Sequence, residues 1–259
     1  MRISIFIFLL LTASAALAQN TYVLVHGAFA DVHVWDKVKP LIAAKGNKVV
    51  TINLPGHGAD TTDPHILNLQ MYVKVVADSI NAQPGKVILV GHSMAGMIIS
   101  AVAEQMPDKI KCLVYVAAYL PQNGESLRSL SSRDTASLVG RNFEYAKDYS
   151  TARMKPDAIA SIICDDCGPA IKKTLPSYLK AEPLGPFNDK VSLSPEKFGQ
   201  VVKYYIFTTQ DRSISYPFQQ SMVNANGTVK KKFTMQTSHL PFVVKLNELT
   251  NILLAIRGL

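Results

Sequence analysis

The sequence predicts an α/β fold, a mostly parallel sheet flanked by helices with a helical cap inserted after the fourth strand. Three observations carry this expectation. Short apolar runs alternate with segments of helical period in the first half of the chain. Those runs are almost continuously apolar, as strands buried on both faces must be. The alternation then lapses for about eighty residues before strands return, far too long for a bare loop.

The elements follow in order. Residues 21–26 (TYVLVH) read as a buried strand, and 35–44 as a helix ended by Gly46. Residues 48–54 form the next strand, stopped by Pro55-Gly56. Helical spacing of Met71, Val75, Val76, Ser79 and Ile80 predicts a helix over 69–82, ended by Pro84-Gly85. A third strand at 87–90 leads to a helix at 94–106 that Pro107 stops, and 110–116 is the fourth strand. The segment at 121–198 is rich in Ser, Lys, Asp and Pro, with modest helical stretches at 134–139 and 170–179, and reads as the cap. Strands return at 201–208 and 232–236, and a last apolar helix covers 246–256.

Composition narrows the class. Hydrophobic residues make up 48% and charged residues 18%, which excludes a disordered chain, and only 3 cysteines exclude a disulfide scaffold. At the start, Arg2, an unbroken apolar run at 3–11 and Ala16-Leu17-Ala18 match a signal peptide cut after residue 18. The expected domains are therefore a signal peptide, 1–18, and one α/β domain, 19–259. The mature protein is expected to be exported, periplasmic or extracellular, with no integral membrane segment. The net charge of +8 is scattered. Its one run, Lys230-Lys231-Lys232, fits a solvated strand edge. No aromatic-basic interleaving of the kind a nucleic-acid groove needs is present, so no nucleic-acid partner is expected. Cys112 sits in an apolar strand and reads as a buried thiol. Cys164 and Cys167 are spaced for a local disulfide or remain two thiols, and with no second Cys pair or close His pair no metal site is expected.

The chemistry centres on residues 87–96, VILVGHSMAG. An apolar strand runs into small residues around Ser93 and then opens a helix, the layout of a nucleophile elbow. The turn strains the Ser backbone, so its neighbours must be small. Ala95 stands where Gly is usual. A serine hydroxyl needs a base, and the base needs an acid to orient it. Of six histidines, His26, His33, His57, His65 and His92 precede or abut Ser93, and only His239 follows at a distance, just beyond the last strand. Asp211 ends the penultimate strand segment and is the candidate acid. Asp165, Asp166 and Asp189 lie in the cap and are expected to be solvated, and Glu248 breaks the order. Backbone N–H groups of Ala28, after the first strand, and Met94, after the serine, are the expected oxyanion donors. His26 is expected to brace the first loop, and His57 to be structural. The pocket beneath the cap is expected to be lined by Trp35, Met94, Tyr119, Leu120, Phe187, Phe218 and Leu240, an apolar set without clustered charge.

These motifs resemble the α/β-hydrolase superfamily, and within it the plant-type methylesterase and hydroxynitrile lyase family with its bacterial esterase relatives. The matching segments are YVLVHGA at 22–28, WDKVKPL at 35–41, KVILVGHSMAGM at 86–97, LVYVAAYLP at 113–121 and FGQVVKYYIFTTQDRSI at 198–214. The resemblance implies the α/β-hydrolase fold, no cofactor, a triad at Ser93, Asp211 and His239, and an oxyanion hole at Ala28 and Met94. Lyase members carry Thr at the position of Gly27 and Lys after the catalytic His, where this chain has Leu240. The expected activity is a serine-dependent carboxylic ester hydrolase acting on an uncharged aryl, alkyl or lactone ester through an acyl-enzyme. A macrolide or other large-lactone esterase, a hydroxynitrile lyase and a non-catalytic small-molecule-binding protein of the same fold are the alternatives.

Overall fold

The structure, a computed structural model, describes residues 19–256, and the expected signal peptide lies outside the described residues. Six parallel strands form one sheet: β1 (Thr21–Val25), β2 (Lys48–Ile52), β3 (Val87–His92), β4 (Ile110–Val116), β8 (Lys203–Thr208) and β9 (Val229–Met235). The order is β2-β1-β3-β4-β8-β9. From β1 the chain steps outward to β2, then returns to the other side of β1 for β3. That reversal opens a crevice at the carboxyl ends of β1 and β3, where ligands bind in such sheets. Val25 pairs with Gly91 there, so the loops that follow these two strands emerge side by side.

Side-chain alternation along the strands divides the core. Val23, Val25, Leu89, Leu113, Tyr115 and Tyr205 face α2 (Leu69–Asn81) and α3 (Ala95–Gln105) on one side. Tyr22, Leu24, Ile88, Val90, Val114 and Ile206 face α1 (Val38–Ala43) and α10 (Leu246–Ala255) on the other. Cys112 belongs to the second set, and burial pushes its free thiol up to about 12. β9 is an edge strand, and Lys230, Lys231 and Lys232 are exposed on it, as expected.

Between β4 and β8 the insert holds α4 (Leu127–Ser131), β5 (Phe143–Tyr145), β6 (Thr151–Met154), α5 (Pro156–Ile163), α6 (Pro169–Tyr178), β7 (Glu182–Pro183) and α7 (Gly185–Asn188). The expected cap is helical only in part. β5, β6 and β7 form a three-stranded antiparallel sheet whose strands are too short to show a period of two in the sequence. The helix expected at 134–139 is instead a series of turns, tied to the sheet domain where Leu138 N donates to Arg212 O. The helix expected at 35–44 is split: a 3-10 turn at Val32–Trp35 precedes α1. After β8 come α8 (Tyr216–Asn226), β9, α9 (Pro241–Val244) and α10. No helix among the described residues is long and apolar enough to cross a membrane.

Gly96, on the first turn of α3, lets that helix press against the chain after β4. A β-carbon there would stand 1.9 Å from the Tyr119 carbonyl oxygen. Gly96→Ala is expected to lower stability by about 3 kcal/mol, whereas Gly85→Ala, with open space around it, should stay within about 0.5 kcal/mol. Urea unfolding midpoints of the two variants check this difference.

Candidate active site

Ser93 sits between β3 and α3 with φ 56°, in the left-handed region that a residue with a β-carbon seldom adopts. Its backbone is held there from both sides. Its N–H donates to Val116 O at 3.2 Å, and its carbonyl accepts from Tyr119 N and Gly96 N at 3.1 Å. Small neighbours are required for this packing. A β-carbon on Gly91 would lie 3.0 Å from the backbone of Ala95, and one on Gly27 would lie 2.8 Å from the Ser93 β-carbon. Ala95, fully buried, fits where Gly is usual.

The structure brings Ser93, His239 and Asp211 together. His239 Nε2 lies 2.9 Å from Ser93 Oγ, and His239 Nδ1 lies 2.7 Å from Asp211 Oδ2. All three are buried. Asp211 is a buried carboxylate with both oxygens hydrogen-bonded. Its Oδ1 accepts from the amides of Ser213 and Ile214 at 2.7 and 2.9 Å. Its Oδ2 accepts from Thr208 Oγ1 at 2.8 Å and from Gln219 Nε2 at 3.2 Å as well as from the imidazole. Four donors besides the histidine replace the water that burial removes.

Two supports of His239 were not legible in the sequence. His92 Nε2–H donates to His239 O at 2.9 Å, and its ring stands edge-on to Phe242. Burial drives the His92 pKa well below its ordinary value, so the ring is a neutral donor. Asp166 is the second. It was expected to be solvated, yet its carboxylate accepts from Ser238 N at 2.9 Å and from Ser238 Oγ. A disulfide joins Cys164 and Cys167 across the turn that carries it. The other competitors are occupied elsewhere. Asp165 pairs with Lys172 and Arg212, Asp189 accepts from Leu69 N at the start of α2, and Glu248 pairs with Lys245.

Ser93, Ala28 and Met94 border one cavity of about 400 Å³ between the sheet and the insert. Tyr119 and Phe187 line it as expected, joined by Phe29, Leu127, Val139, Phe143 and Leu184. Four expected lining residues do not. Trp35 and Leu240 pack in the core against α1, α9 and α10, Leu120 is buried beside Met222, and Phe218 packs against the core on α8. Core and pocket draw on the same apolar residue types, so composition could not separate them. The wall was expected to be apolar without clustered charge, yet Arg128 and Arg141 both stand on it. Each donates to a neutral oxygen, of Asn188 and Thr135 respectively. Asp134 on the same wall is engaged by the amide and hydroxyl of Ser215.

Behind the loop that carries Ala28 lies a buried ion pair. His57 Nε2 is 2.9 Å from Glu182 Oε2, and His57 Nδ1 is 3.0 Å from Pro55 O. Both ring nitrogens face acceptors, so both carry protons. Burial alone would lower the His57 pKa, but the Glu182 charge and hydrogen bond, with the Pro55 carbonyl, outweigh it and hold the pKa above its ordinary value. His26 is the opposite case. Its Nδ1–H donates to Gly27 O and its Nε2 accepts from Leu54 N, and burial followed by the His57 charge lowers its pKa to about 3. His26 thus braces the first loop, as expected.

The fold agrees with what known proteins show. Residues 22–244 match the alpha/beta hydrolase family, and the chain belongs to it. Putative methylesterase 11, chloroplastic, of Arabidopsis thaliana is 32% identical over 251 residues, covering 93% of this chain and 64% of that protein, so the chain spans less than two thirds of its length. Methylesterase 2 of Arabidopsis thaliana is 29% identical over 258 residues, covering 92% of this chain and 96% of that protein. The crystal structure of a methylesterase from Arabidopsis superposes with a TM-score of 0.78 at 26% identity, covering 91% of this chain and 98% of that one.

The raised His57 pKa gives a stability signature. The pair's contribution is complete below about pH 6.5, the unfolded value, and is lost as pH rises through the higher folded value. His26, Tyr72 and Asp60 also bear on this ring. The melting-temperature deficit of His57→Gln should therefore be largest in mildly acidic buffer and shrink as pH rises through the raised folded value. A deficit that grows with pH contradicts the assignment.

Proposed function

We propose that the protein is a serine-dependent carboxylic ester hydrolase that works through an acyl-enzyme on a small-molecule ester. The single observation that carries this reading is the hydrogen-bonded chain from Ser93 Oγ through the His239 imidazole to Asp211, at 2.9 and 2.7 Å. His239 Nε2 takes the hydroxyl proton as Ser93 Oγ attacks the ester carbonyl. Asp211 accepts from Nδ1–H, fixes the tautomer, and stabilises the imidazolium that forms. The amides of Ala28 and Met94, the latter at the positive end of α3, receive the developing oxyanion. His239 returns the proton to the leaving alcohol, and water, activated by the same imidazole, then releases the acid.

The relatives named methylesterases support a methyl or similarly small alkyl ester, and aryl and lactone esters react by the same steps. A cavity of about 400 Å³ lies near the lower end of the range for small-molecule sites, which favours a small ester over a macrolide. Arg128 and Arg141 support a second reading, an ester that carries a distal carboxylate. Gly27 argues against a hydroxynitrile lyase, because a side chain there meets Ser93, and Leu240 faces the core. A non-catalytic binder would have no use for the aligned imidazole. Export after removal of residues 1–18 remains part of the proposal.

Ser93→Ala is expected to reduce kcat/KM by at least about 10⁴-fold while the protein stays folded. Asp211→Asn should cost about 10³–10⁴-fold, because the asparagine favours the wrong imidazole tautomer. Steady-state kinetics on a panel of neutral and carboxylate-bearing esters, with circular dichroism of each variant, tests both. Turnover that survives Ser93→Ala overturns the reading.

A further inference from the structure

Glu182 is fully buried on β7 of the insert, yet it belongs to none of the chemistry proposed above. Its Oε2 accepts from two donors on the sheet domain, Phe29 N at 2.6 Å and His57 Nε2 at 2.9 Å. Phe29 directly follows Ala28 and has φ 63°, another left-handed residue with a β-carbon. Such a backbone persists only when its surroundings over-determine it. Here the insert grips both polar groups of Phe29. Glu182 takes its N–H, and Lys180 N donates to its carbonyl at 2.9 Å. The Phe29 ring meets Phe143 of β5, also in the insert, at 5.7 Å between centroids. Lys180 Nζ continues the clamp to Gly58 O, in the turn that carries His57.

A carboxylate this deep needs a counter-charge, and His57 supplies it with one nitrogen anchored on Pro55 O. A neutral acceptor would have held the amide at less electrostatic cost. The ion pair instead gives a short, charge-assisted hydrogen bond to one backbone N–H beside the reacting carbonyl.

We infer that Glu182 is a positioning residue for the oxyanion loop: it fixes Phe29 in its left-handed conformation and so holds the Ala28 amide on the oxyanion, with His57 as its charge partner. This rests on the esterase reading and extends it. The insert is then a working part of the site, joined to the oxyanion loop by a specific hydrogen bond. Because an oxyanion forms only in the transition state, a displaced Ala28 amide lowers kcat and leaves KM nearly unchanged.

The test uses the full chain and begins with wild-type turnover and labelling of Ser93 by an organophosphonate. Absence of both overturns the esterase reading and this inference with it. With both present, Glu182→Ala is expected to lower kcat by about 10²-fold or more, the cost of one lost oxyanion donor, with KM within about threefold. Affinity for a trifluoromethyl ketone, which forms a tetrahedral oxyanion adduct on Ser93, should fall in parallel. Glu182→Gln, which keeps an oxygen for the Phe29 amide, should recover most of kcat. Glu182→Asp keeps the charge but withdraws the oxygen by one methylene, and serves if the alanine variant does not fold. A folded alanine or aspartate variant with unchanged kcat and ketone affinity overturns the inference, as does a loss confined to KM.

Discussion

At Ser93 the chain must turn from the central strand into a helix within one residue, and the left-handed backbone there is strained. The surrounding structure is arranged around holding that strain. β3 lies in the middle of the sheet, with paired neighbours on both sides. Gly91 and Gly27 leave room for the turn, and Gly96 lets α3 press onto the chain beyond β4. Tyr119 N and Val116 O clasp the serine's own backbone. The result is a hydroxyl fixed at a strand end and a helix N-terminus, where a base can reach it and amides can face it.

The remaining parts of the site arrive from other strand ends because the sheet is parallel. Asp211 follows β8 and His239 follows β9, adjacent strands joined in register from Ile206 to Thr208 and Phe233 to Met235. Each part is fixed by contacts made before any substrate binds. Four donors hold Asp211 besides His239, while His92 and Asp166 hold the backbone that carries His239. Preorganisation of this kind is what lets a site stabilise charge without rearranging as the charge forms.

The fold and the positions of Ser93, Asp211 and His239 at successive strand ends were legible in the sequence for the same reason. A doubly covered parallel strand must be apolar, a nucleophile elbow must be small, and the acid and base must follow later strands. Each demand leaves a local mark. The supports leave none. His92 meets His239, Asp166 meets Ser238, and Glu182 meets His57 across separations of 147, 72 and 125 residues, and nothing near any of these residues announces its partner. The same holds for the insert. Strands as short as Glu182–Pro183 carry no periodicity, and its wall residues resemble either core or ordinary surface. Trp35 and Leu240 looked like pocket and are core, while Arg128 and Arg141, which no motif singled out, border the cavity.

The central claim is that Ser93 becomes covalently acylated. The most direct measurement is rapid-quench mass spectrometry of the protein during turnover of an activated ester, followed by peptide mapping. The account predicts an acyl group on the peptide that contains Ser93, formed before steady state and absent from the alanine variant. An enzyme that turns over with no adduct, or with the acyl group on another residue, would contradict it.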